Sequence, residues 1–98
     1  MTYISLVIRS FKSKGLERFA TRGDASRLSV PNLGRVRRVL AALDAADLPQ
    51  QMDIPGYRFH ALKGQAKGRY AVDASGNWRI TFGWNDRDAT DVDLEDYH

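Results

Sequence analysis

The 98-residue chain has no cysteine, three prolines and only two histidines. Without thiols there can be no disulfide, no thiolate nucleophile and no cysteine-ligated metal. Metal ligation through histidine has little support either, because His60 and His98 lie far apart and no His-x-x-x-His spacing occurs. There is no Gly-x-x-x-x-Gly-Lys-Ser/Thr segment to cradle a nucleotide phosphate and no Gly-x-Ser-x-Gly elbow to present a serine. The residues therefore predict no cofactor and no metal. Long hydrophobic runs are missing too. The apolar stretch around Ile4, Leu6 and Ile8 has no basic segment ahead of it and is too short for a signal peptide or a membrane span. The expectation is a cytoplasmic protein with no membrane partner.

What is present suits one globular unit. Hydrophobic residues make up 43% of the chain and aromatics 10%, enough for a packed core in a single domain over residues 1–98. Charge is distributed unevenly. Residues 1–72 hold thirteen Lys/Arg against five Asp/Glu, whereas residues 73–98 hold two against seven. A basic body favours a polyanionic partner, since each neutralised phosphate releases counterions.

The apolar spacing predicts an α+β domain. Ile4, Leu6 and Ile8 alternate with Ser5, Val7 and Arg9, suggesting a first strand near residues 4–10. A helix is expected from Lys12, through Leu16, Phe19 and Ala20, to Gly23. A second, from about Pro31 to Ala46, carries the stripe Leu33, Val36, Val39, Leu40 and Leu43. Period-two patterns then predict strands at Tyr57–Ala61, Arg69–Val72 and Trp78–Trp84, with a last one from about Ala89 to Glu95. Turns are expected at Ser75-Gly76-Asn77 and at Asn85-Asp86-Arg87-Asp88. The architecture is two N-terminal helices packed on an antiparallel sheet of about four strands.

The groups left for chemistry can move protons or hold phosphate. Histidine can act as acid or base near neutral pH, and lysine or arginine can stabilise a charged phosphorane. His60 shares a strand face with Arg58 and Leu62. Lys63, Lys67 and Arg69 crowd a loop bounded by Gly64 and Gly68, and Arg79 lies on the polar side of its strand. The second histidine, His98, follows Asp96 and Tyr97 at the C-terminus. Trp78 and Trp84 read as core aromatics. Metal-free acid–base cleavage of RNA is the chemistry these groups fit.

Four blocks resemble the HigB-type toxins, or plasmid-maintenance killer proteins, of the RelE/ParE superfamily. They are Ser10-Phe11-Lys12-Ser13-Lys14-Gly15-Leu16, Tyr57-Arg58-Phe59-His60-Ala61-Leu62-Lys63-Gly64, Ser75-Gly76-Asn77-Trp78-Arg79-Ile80-Thr81-Phe82 and Glu95-Asp96-Tyr97-His98. The resemblance runs from about Val7 to His98. It implies a RelE-like fold and a toxin that cuts translated mRNA in the ribosomal A site without a metal. It also implies neutralisation by a HigA-type helix-turn-helix antitoxin, in a complex that represses its own operon. By the same resemblance His60, Lys63, Arg79, Asp96, Tyr97 and His98 are the catalytic set, with Asn77 near the phosphate. Lys12, Lys14, Arg35 and Arg38, together with Lys67 and Arg69, are candidates for holding mRNA or ribosomal RNA phosphates. Two departures stand out: Met1 to Leu6 precede the family's usual start, and Arg69-Tyr70 stand where relatives often carry two aromatics. Order at the C-terminus is expected too, with Tyr97 as anchor and His98 near His60. Other functions open to such a chain are ParE-like inhibition of DNA gyrase and a non-catalytic co-repressor role.

Overall fold

Ser13 accepts a hydrogen bond from the Leu16 amide at 3.1 Å and so starts helix α1 (Lys14–Arg22), which ends at Gly23 in a left-handed conformation (φ 70°) that only glycine adopts readily. The computed structural model describes residues 8–96. Asn32 caps helix α2 (Leu33–Ala45) by accepting from the Arg35 amide at 3.0 Å, so Pro31 falls just outside the helix. Val36, Val39, Leu40 and Leu43, four of the five residues of the expected stripe, are its buried positions. A short 3₁₀ turn (Pro49–Met52) then leads into the sheet.

Four strands follow, β1 (His60–Ala61), β2 (Arg69–Ser75), β3 (Trp78–Asn85) and β4 (Asp88–Asp96), each antiparallel to the next in chain order. The expected strand at Tyr57–Ala61 shrinks to two residues. Arg58 takes a left-handed backbone (φ 52°), which breaks the pleat. Tyr57 nevertheless stays docked on β2, its carbonyl accepting from the Asp73 amide at 2.7 Å. Of the expected first strand, residues 4–7 lie outside the described residues. Arg9 and Lys12 donate amide hydrogen bonds to Ala89 and Val92 of β4, both at 2.8 Å, and Phe11 bridges Val92 in parallel. This stretch accompanies β4 without being a regular strand.

The helices cover one sheet face. Leu16, Val36 and Val39 meet Val72, Ile80 and Phe82 in a core where all six are fully buried. Each such side chain contributes about 1.5–3 kcal/mol over exposure. Trp78 and Trp84 are half-buried and pack against this core. Among the described residues, no helix is long and apolar enough to cross a membrane.

Candidate active site

The pleat sends alternate residues to the other side of the sheet, and strand register then decides which of them meet. His60 is opposite Ala71, Ala71 opposite Thr81, and Thr81 opposite Asp93. The next row along holds Asp73, Arg79 and Glu95, and the row on the other side holds Arg69, Gly83 and Thr90. These three rows form one polar face, turned away from the helices. His60 and Arg79 are on it together, two strands and one two-residue step apart, roughly 12 Å between Cα atoms by standard sheet spacings.

His60 is exposed on the edge strand, and its Nδ1 is 2.9 Å from the Arg58 carbonyl. A carbonyl can only accept, so Nδ1 carries the proton, and in the neutral ring Nε2 is the basic atom. The left-handed backbone at Arg58 aims that carbonyl. Lys63 follows at the start of a 3₁₀ turn (Gly64–Ala66) and is exposed. Gly64 (φ 67°) and Gly68 (φ 95°) bound the loop, which also exposes Lys67. Arg79 is mostly covered, with Nη2 3.8 Å from Glu95 Oε1. Asn77 is exposed in the β2–β3 turn, at the end of the sheet nearest Arg79.

Other candidates separate from this face. Asp96 pairs with Trp78, so the pleat puts it opposite Arg79 and Glu95, exposed at the strand's end. Tyr97 and His98 lie outside the described residues, and so does their expected approach to His60. Lys12 and Lys14 are exposed at the start of α1, and Arg38 is exposed on α2. Arg35 turns back, donating from Nη2 to the Gly56 carbonyl at 2.7 Å with its guanidinium 5.2 Å above the Tyr57 ring. Arg69 is also engaged internally: its Nη2 donates to Asp91 O at 2.8 Å and Thr81 Oγ1 at 3.2 Å.

The sequence reading missed Thr81 and Glu95. Thr81 is fully buried, and its hydroxyl donates to Glu95 Oε2. Its place on the polar side of β3 was the available signal, but only the register of three strands brings Arg69, Thr81 and Glu95 into line. Among the described residues, no group of three or more His, Asp or Glu side chains is arranged to hold a metal ion.

Two helices on one face of a four-stranded antiparallel sheet agree with an α+β domain of the RelE-like kind. The family model for the RelE-like toxin HigB of type II toxin–antitoxin systems matches residues 9–98, and the chain belongs to this HigB-like toxin family. It is 35% identical over 92 residues to the endoribonuclease HigB of Proteus vulgaris, covering 94% of this chain and all of that protein. It is 33% identical over 87 residues to toxin HigB-1 of Vibrio cholerae serotype O1 (strain ATCC 39315 / El Tor Inaba N16961), covering 87% of this chain and 92% of that one.

Proposed function

We propose that this chain is an endoribonuclease that cuts mRNA in the A site of translating ribosomes. The observation that carries this reading is the shared polar face of His60 and Arg79, with His60 Nδ1 tied to a carbonyl and Nε2 left for proton transfer. One imidazole takes the 2′-hydroxyl proton as the 2′-oxygen attacks phosphorus. The other returns a proton to the departing 5′-oxygen, His60 and His98 dividing the two duties between them. The products are a 2′,3′-cyclic phosphate and a free 5′-hydroxyl. Arg79 and Lys63 stabilise the phosphorane, Asn77 orients the phosphate, Asp96 tunes its neighbour and Tyr97 positions the substrate. The exposed cations Lys12, Lys14, Arg38 and Lys67 hold ribosomal RNA phosphates, with an affinity that falls as salt rises. A HigA-type helix-turn-helix antitoxin neutralises the toxin in the cytoplasm and joins it on the operator.

Single-turnover cleavage of mRNA on translating ribosomes tests this. His60→Gln and deletion of His98 should each slow cleavage by about 10²–10⁴, the usual range for acid–base groups, without changing the melting temperature. Full toxicity of both variants would overturn the nuclease reading in favour of gyrase inhibition.

A further inference from the structure

Arg69 belongs to the loop cations by sequence, but its guanidinium lies within the sheet. The row Arg69–Gly83–Thr90 explains how it gets there. A Cβ at Gly83 would sit 2.8 Å from Thr90 Oγ1 and 3.7 Å from Arg69 Nη1, so the strand glycine leaves the space that the guanidinium lies beside. Both protons of Arg69 Nη2 are used, one by Thr81 Oγ1 and one by the Asp91 carbonyl. Asp91 is a bulge residue with a left-handed backbone (φ 47°) at the register shift of β4.

The polarity of this chain of bonds is fixed. Arginine only donates, so the Thr81 oxygen accepts from Arg69, and its single proton goes to Glu95 Oε2. That orients the carboxylate so that Oε1 faces Arg79 Nη2. We propose that Arg69 is a positioning residue for Arg79, acting through Thr81 and Glu95 across three strands. It sets the angle at which the guanidinium of Arg79 meets a phosphate, and it fixes the β4 bulge four residues before Glu95. The role in catalysis rests on the nuclease reading; the effect on Arg79 does not.

The test uses the full chain with Arg69→Gln and Arg69→Lys. Lysine keeps the charge but loses the planar fork that reaches two acceptors from one nitrogen. Both variants should move the Nε–Hε NMR signal of Arg79. Both should lower the single-turnover cleavage rate about tenfold, with the half-saturating ribosome concentration and its salt dependence unchanged. A phosphate contact at Arg69 would behave differently: Arg69→Gln would weaken binding and reduce the salt slope by about one, and Arg69→Lys would keep nearly full rate. That pattern overturns the proposal, as does an unmoved Arg79 signal in both variants. Should Arg69→Gln fail to fold, Arg69→Lys carries the same comparison. A wild-type chain that cuts no RNA would remove the nuclease reading, while the Arg79 signal would still decide the positioning role.

Discussion

Arg35→Ala should loosen the segment that carries His60 while leaving the rest of the sheet intact. Arg35 joins α2 to the approach to β1 in two ways, through its hydrogen bond to the Gly56 carbonyl at 2.7 Å and its guanidinium above Tyr57 at 5.2 Å. A hydrogen bond from a charged donor is worth about 1.5–3 kcal/mol when buried, and this partly exposed one falls toward about 1 kcal/mol. The cation–π contact adds about 0.5–1 kcal/mol. Together they lower the free energy of local opening by about 1.5–2 kcal/mol, or roughly 10–30-fold in the open population. Amide hydrogen exchange reads this directly. The Asp73 amide, bonded to Tyr57 O, and the Leu62 amide, bonded to Arg69 O, report on the two ends of the segment. Both should exchange about 10–30-fold faster in Arg35→Ala, while Ile80 and Phe82 amides in the middle of β3 stay as they were. Arg35→Lys should recover less than half of the protection, because a single ammonium does not stack flat on the ring while reaching the carbonyl. Unchanged exchange at Asp73 and Leu62 would refute the reasoning and return Arg35 to the surface cations available for RNA.

Gly83→Ala should cost about 1–2 kcal/mol, since its new Cβ meets Thr90 Oγ1 at 2.8 Å. For a domain of this length that is about 4–15 °C in Tm by thermal melting, and adding Thr90→Ala should restore most of the loss. The Ser26 hydroxyl and then the Ser26 amide, hydrogen-bonded to the carboxylate, hold Asp24 below its ordinary pKa, with Arg18 assisting. A depressed carboxylate adds stability above its unfolded pKa and loses it as pH falls through the folded one. Ser26→Ala should therefore raise the Asp24 titration midpoint seen by NMR and shrink that acid-side loss.

Much of the fold could be read from local signals. Ser13, Gly23 and the stripe on α2 are short-range features, and so is the alternation from Trp78 to Trp84. Each depends on residues within a turn or a pleat of one another. The errors came from longer range. Nothing in Tyr57-Arg58-Phe59-His60-Ala61 marks Arg58 as the residue that turns left-handed beside a Tyr57 carbonyl held by the distant Asp73 amide. The pleat placed His60 on the face away from Phe59, and the alternation from Trp78 to Trp84 placed Arg79 on the polar side of its strand. Neither could say that Arg69 would bond Thr81 and Asp91, or that Asp96 would face away from Arg79, because those facts depend on register and on a bulge. For the same reason Arg35 and Arg69 looked like solvent cations: charge is visible in a sequence, whereas the acceptor it meets is not.

The two borders of the sheet differ in what they offer a stray strand. Along β4, the backbone up to Val92 is already paired with residues 9–13 among the described residues. Along β1 the regular border is two residues long, between the turned backbone of Arg58 and the 3₁₀ turn after Lys63. Short, interrupted or covered borders resist sheet-to-sheet growth. Among the described residues, β1 and the first half of β4 therefore leave a stray strand little regular border on which to pair.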